Sequence, residues 1–129
     1  MPNTLIDLSF SNCHNLRELD SIYGLKKLQM LDISGCTELE ELLRVETLVS
    51  LSILDASRCV KLKGIRGLGQ LTKFQHLLVG GCSELQELGG IHHCVSLWML
   101  DVKACPKLQW SEGVVELLRQ RNRFCLEGV

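Results

Sequence analysis

Several features that would direct a search for function are missing from this chain of 129 residues. It has 14 Lys and Arg against 15 Asp and Glu, and the formal net charge of −1 gives no electrostatic attraction to nucleic acid or to an anionic membrane. No stretch approaches 18 consecutive apolar residues, so the sequence predicts no membrane span. The opening residues, MPNTLIDLSF, have neither a basic segment nor an apolar core, so we expect no secretory signal. These absences together favour a cytoplasmic protein, with the nucleus as an alternative.

A pattern of apolar residues and one cysteine recurs every 23 residues. Its clearest copy is LQMLDISGCTEL, from Leu28 to Leu39, and the five copies begin at Leu5, Leu28, Leu51, Phe74 and Leu97. The order L-x-x-L-x-L-x-x-C-x-x-L, at a fixed period of about 20–30 residues, is typical of leucine-rich repeats, which stack into a solenoid.

The spacing of the apolar residues changes along each copy and predicts the local structure. Leu31 and Ile33 alternate with outward residues, which indicates a short strand. The apolar residues that follow occur at every third position, a spacing that is typical of turns, 3₁₀ segments or short helices. We therefore predict one α/β domain, residues 1–129, as a short horseshoe-shaped solenoid with a parallel concave sheet and an irregular convex side. The five strands should centre on Leu8, Leu31, Leu54, Leu77 and Leu100.

The end of the chain predicts a C-terminal cap over residues 111–129. Ser111 is a candidate N-cap and Glu112 favours a helix start. One helix face would consist of Val114, Leu117 and Leu118, and the basic residues near the negative helix end would be Arg119, Arg121 and Arg123. Phe124 and Leu126 are expected to fold beneath the last repeat. The first repeat shows no comparable cap, which predicts the C-terminal part of a longer repeat protein or a truncated gene product.

The seven cysteines are expected to be reduced. Their number is odd, and the five that share one repeat position are Cys13, Cys36, Cys59, Cys82 and Cys105. Stacking would place them in a straight row, which offers no tetrahedral metal cage. Each thiol should instead be a small buried hydrophobe whose S–H donates weakly to the backbone of the turn. Cys94 occupies a core position, so Cys125 is the thiol that we expect to be most exposed.

The sequence signals for a metal-binding, catalytic or phosphate-binding site are weak. His92, His93 and Cys94 resemble a ligand cluster, but the thiol should point into the core and the two histidines elsewhere. Neither a nucleophile–base–acid set nor a phosphate-binding glycine motif is recognisable. The sequence therefore predicts a protein that is not an enzyme and has no metal or other cofactor, with a metal-dependent enzyme built on the histidines as the least favoured alternative.

The outward strand residues are the candidate binding surface. They mix apolar anchors with acidic and basic groups, and an exposed apolar surface of this kind usually meets a partner. The predicted partner-binding residues on the concave face are Met30, Asp32, Ile53, Asp55, Arg58, His76, Leu78, Trp98, Met99, Asp101 and Lys103. The competing interpretation is a solvated inner sheet without a partner.

The amino-acid sequences of the repeats resemble those of one protein family. LDISGCTELEEL, LDASRCVKLKGI and LDVKACPKLQW, joined by GLKKLQ, LVSLSI and GLGQLTK, are similar to the leucine-rich-repeat region of plant intracellular nucleotide-binding disease-resistance receptors, closest to the Toll/interleukin-receptor-like class. The resemblance covers about residues 5–119. It implies recognition of a pathogen effector, a guarded host protein or other receptor domains. The net charge and the lack of long apolar runs, separately, predict neither nucleic acid nor membrane as partner. The chain departs from a complete receptor because it has no signalling domain and no nucleotide-binding loop. The alternative is a substrate-recruiting repeat protein of an F-box-type ubiquitin ligase, although such repeats tend to be longer.

Overall fold

A computed structural model describes residues 4–129, so residues 1–3 of the predicted domain lie outside the described part. Strands, 3₁₀ helices and turns make up nearly all of the regular structure. The strands are β1 (Asp7–Ser9), β2 (Met30–Asp32), β3 (Glu41–Leu42), β4 (Ile53–Asp55), β5 (Gly64–Ile65), β6 (His76–Leu78), β7 (Glu87–Leu88), β8 (Met99–Asp101) and β9 (Cys125–Glu127). The single α-helix of the described residues, α1, spans Val114–Arg119.

A main sheet of six parallel strands, in the order β1-β2-β4-β6-β8-β9, confirms the predicted architecture. The predicted strand centres Leu8, Leu31, Leu54, Leu77 and Leu100 are register partners of one another from strand to strand. Hydrogen bonds join successive repeats, for example from Ile33 N to Asp55 O at 2.8 Å. The 23-residue period is therefore the offset between paired strands.

The core is a stack of identical sequence positions. Leu31, Leu54 and Leu77 are fully buried, and the next inward position, Ile33 in β2's repeat, is buried as well. Side chains alternate along a strand, so these residues point to one side and their neighbours to the other. The side of the main sheet that faces away from the core is called the open face below; it corresponds to the predicted concave face.

The segments that connect consecutive strands of the main sheet contain β-strands that were not predicted. The 3₁₀ helices at Asp20–Ile22, Val45–Thr47, Leu68–Gln70 and Ile91–His93 confirm the predicted 3₁₀ segments. A second sheet, in which β3, β5 and β7 pair in parallel, was not predicted. Each of these strands has two residues, which is too short for an alternating pattern to be visible in the sequence.

The C-terminal cap exists, but its details differ from those predicted. Gly113, with φ +80°, is the N-cap of α1 and no side chain caps the helix, so the Ser111 prediction is wrong; Ser111 contributes only its carbonyl, which accepts from Val114 N. Val114 and Leu118 are buried, whereas Leu117 is 53% exposed and does not belong to the buried face. A helix of six residues has too few turns to bury all three.

Strand β9 was also not predicted, although Leu126 was expected to fold beneath the last repeat. It joins the main sheet next to β8, with Leu100 opposite Leu126. Arg121 closes the same end of the solenoid: its guanidinium donates to the carbonyl oxygens of His92 (2.7 Å), Cys94 (2.6 Å) and Leu97 (3.1 Å). It therefore satisfies acceptors of the last repeat rather than the end of its own helix. Within residues 4–129, no helix has the length and apolarity needed to cross a membrane.

Candidate functional site

The open face consists of two parallel columns of side chains. Register pairing places one outward residue of each strand in the first column: Asp7, Met30, Ile53, His76, Met99 and Cys125. The residue two positions later belongs to the second column: Ser9, Asp32, Asp55, Leu78, Asp101 and Glu127. Eight of the eleven predicted binding residues lie in these columns. Trp98 directly precedes β8, and Arg58 and Lys103 follow β4 and β8.

The first column is mainly apolar and partly accessible. Met30 is 38% exposed and Trp98, beside this column, is 47% exposed, while Ile53 and Met99 are half-buried. Large apolar side chains with this exposure, on a sheet backed by a packed core, form a rigid surface that a partner can cover at low entropic cost.

Trp98 is held in place by His76. The two rings meet edge to face, with 4.6 Å between centroids and an interplanar angle of 82°. Nε2 of His76 is enclosed and has no hydrogen-bond partner among the described residues. Aromatic pairs of this geometry stabilise each other by about 0.5–1.5 kcal/mol. The sheet thus presents an oriented indole rather than a freely rotating one.

The second column is mainly acidic, and its aspartates have a structural role. Oδ1 of Asp32 accepts from the backbone N–H of Ser34 at 2.9 Å and from its hydroxyl at 2.7 Å. Asp55 accepts from Ser57 N and Asp101 from Lys103 N, each at 3.0 Å. These bonds close the turn after each strand. Among the described residues, these bonds use Oδ1, and none of them is made to Oδ2.

The turns that follow the strands carry the basic residues of the site. Arg58 has a left-handed backbone (φ +60°) and its Cγ lies against Gly81 of the next repeat. Lys103 Nζ lies 3.4 Å from a carboxylate oxygen of Glu127. In residues 4–129, no Lys, Arg or His nitrogen forms an ion pair with Asp32, Asp55 or Asp101.

Cys125 and Glu127 belong to the open face but were absent from the predicted site. Both enter it through β9, which pairs with β8. The sequence contains one relevant signal, the triplet Cys-Leu-Glu, with an inward leucine followed by an acidic residue as in the Met-Leu-Asp strands. Leu126 comes 26 residues after Leu100, so a search at the 23-residue period does not find it.

The cysteine column largely follows the prediction. Cys36, Cys59 and Cys82 are buried, and each S–H donates to a backbone carbonyl of the preceding repeat, at 3.0–3.1 Å. Burial raises the pKa of the Cys59 and Cys82 thiols to about 12. Cys94 is buried as expected, with its Sγ 3.0 Å from the carbonyl oxygen of Leu68. These thiols are structural.

The prediction for the exposed thiol is wrong. Cys125 is only half-exposed because β9 pairs with β8, whereas Cys13, in the first repeat, is exposed. Within residues 4–129 the Cys13 thiol donates to no backbone carbonyl, unlike the other four thiols of its column. The two adjacent rings of His92 and His93 lie 3.9 Å apart, and no group of three or more metal-ligating side chains occurs within the described residues.

Comparisons with known proteins add the following. No protein-family model and no curated protein matches the chain. Among solved structures, an internalin (inlF) from Listeria monocytogenes is similar over 96% of this chain, with a TM-score of 0.45 and 20% sequence identity. The chain covers 47% of that internalin, so it spans about half its length. This likeness carries no functional argument; the repeats, the parallel register and the stacked core identify the chain as a leucine-rich-repeat solenoid.

Proposed function

We propose that the chain is a non-enzymatic protein-binding module that contacts its partner through the open face. The observation that carries this proposal is the apolar strip around Trp98, half-exposed on a sheet whose other side is packed against the hydrophobic core. Hot spots of protein interfaces are few and rich in tryptophan and arginine, and near-neutral contacts surround them. Trp98, with Met99 next to it in the chain and the His76 ring 4.6 Å away between centroids, fits that description.

We further propose that the module is the recognition part, or a truncated relative, of a plant intracellular immune receptor, acting in the cytoplasm. The support is the resemblance of the repeat sequences to the leucine-rich-repeat region of these receptors. The partner would then be a pathogen effector, a guarded host protein or another receptor domain. A full-length transcript from the source organism tests this idea. An in-frame nucleotide-binding domain would support it, and a transcript in which the repeats adjoin an F-box would refute it.

A photo-crosslinking experiment tests the binding face. A photoreactive phenylalanine analogue is placed at Trp98 or, as the control, at Leu117, which is exposed on α1. Both proteins are expressed in cells of the source organism and the adducts are identified by mass spectrometry. We expect one partner to dominate the adducts at position 98 and to be absent at position 117. Equal labelling at both positions would contradict the proposal.

The captured partner then allows a quantitative test. Trp98→Ala should weaken its binding by at least about 2 kcal/mol, since truncation of a central aromatic anchor costs this much. The unfolding midpoint should change little, because the indole lies outside the core. Leu117→Ala should leave affinity unchanged. A large loss of stability for Trp98→Ala, with unchanged affinity per folded molecule, would move the binding surface to the outer loops.

A further inference from the structure

An apolar strip and an acidic strip lie side by side on the open face. The two columns are separated by two residues along each strand, which is about 7 Å. The apolar strip contains Met30, Ile53 and Met99, while the acidic strip contains carboxylates at every strand from β2 onward except β6. There Leu78 divides the acidic strip into two pairs, Asp32 with Asp55 and Asp101 with Glu127.

The first pair is the less neutralised of the two. Asp32 and Asp55 are direct register partners, so their Cα atoms are one strand spacing apart, about 4.8 Å, and their side chains leave the sheet on the same side. Neither forms an ion pair within the described residues, and only one oxygen of each is occupied by the turn. Glu127, in contrast, is already paired with Lys103. Like charges opposite each other destabilise a sheet, and a cation placed between them reverses the sign of that interaction.

We propose that the open face selects a partner segment in which Lys or Arg side chains flank an apolar side chain. This inference rests on the proposed function and specifies the chemistry of its partner. One basic group bridges Asp32 and Asp55, and the apolar side chain packs on Leu78, beside His76 and Met99 of the first column. A second basic group approaches Asp101 and Glu127 more weakly. The two carboxylate pairs are three strand spacings apart, so the basic groups of the partner lie about 14 Å from each other.

A random peptide library tests the inference without knowledge of the natural partner. Phage-displayed twelve-residue peptides are selected against the immobilised full chain, and enriched peptides are synthesised and titrated by fluorescence anisotropy. We expect enrichment of peptides with at least two Lys or Arg and an intervening apolar residue. Their Kd should rise steeply with salt, because the charges remain partly exposed.

Matched charge-neutral variants then locate the binding site. Asp32→Asn combined with Asp55→Asn keeps the oxygen that accepts the turn hydrogen bond but removes both charges. This variant should weaken peptide binding about tenfold. The control is Glu40→Gln with Glu41→Gln, which removes the same charge from the opposite, outer side and should leave Kd unchanged.

The outcomes separate this inference from the proposed function. If selected peptides bind in a Trp98-dependent manner but are neutral or acidic, or ignore the Asp32/Asp55 double substitution, the cationic partner is wrong and the binding face stands. If binding depends on neither Trp98 nor the aspartates, both proposals fail. If no peptide is enriched over the bare support, the inference of a linear basic segment is overturned.

Discussion

Replacement of Leu54 by alanine tests the stacked core most directly. Leu54 is fully buried at the centre of β4, and its register partners Leu31 and Leu77 are fully buried too. Backbone hydrogen bonds hold β4 against both neighbours, including Ile53 N to Gln29 O at 3.0 Å and Ala56 N to Leu78 O at 2.7 Å. The substitution thus removes an isobutyl group from a site whose walls are fixed.

The expected cost follows from how little this site can relax. Leu→Ala changes in cores destabilise by about 2–5 kcal/mol, with the larger values where the cavity stays open. Because the strands above and below Leu54 are held in register, we expect the upper part of that range, about 3–5 kcal/mol. For a chain of this length each kcal/mol lowers Tm by about 3–5 °C, so the expected shift is about 9–25 °C.

Equilibrium urea unfolding, followed by far-ultraviolet circular dichroism, measures the effect. Leu43→Ala is the matched control, because Leu43 is 46% exposed and loses the same atoms. Lys61→Ala, which removes a surface ion pair with Glu38, should change the free energy of unfolding by no more than about 0.5 kcal/mol. Equal midpoints for Leu54→Ala and either control would refute the column model of the core.

Four further predictions concern the thiols and the C-terminal cap. Native protein should react with a thiol reagent fastest at Cys13, and a Cys13→Ser variant should lose that fast phase; five or more fast thiols would contradict the buried column. Because burial raises the pKa of Cys59 and Cys82 from 9 to about 12, the folded chain holds their protons longer than the unfolded chain, so stability should fall as pH rises from about 9 towards 12, as unfolding midpoints measured at each pH would show. Gly128→Ala should release β9, because a Cβ there would lie 2.5 Å from the Lys103 backbone nitrogen at φ +94°; faster amide hydrogen exchange in β8 is the readout, and unchanged exchange would count against it. Arg121→Lys should destabilise the chain by about 2–3 kcal/mol in urea unfolding, since an ammonium group cannot replace a planar guanidinium that reaches three carbonyls, and full stability would show that the cap does not depend on them.

Contacts that recur in every repeat could be predicted from the sequence, whereas contacts that occur only once could not. The burial of Leu31 and Cys36 could be predicted because equivalent residues occupy the same position in all five repeats. Gly113 as the helix N-cap, Arg121 as the cap of the last repeat and β9 at an offset of 26 residues each occur once. A contact made once leaves no periodic signal, and local propensity alone favoured Ser111 as the N-cap.

The sequence by itself therefore determined the class of fold, the centres of five strands, the direction of the core and the outward side chains of those five strands. Each of these follows from the apolar spacing within one repeat and the constant distance between repeats. Only the tertiary structure decided which charges of the open face are neutralised. It showed that Glu127 meets Lys103 through β9, while Asp32 and Asp55 stand opposite each other and no basic side chain of residues 4–129 pairs with either. Ion pairing depends on distances of a few ångströms between residues far apart in the chain, and these distances are set by the way the repeats stack.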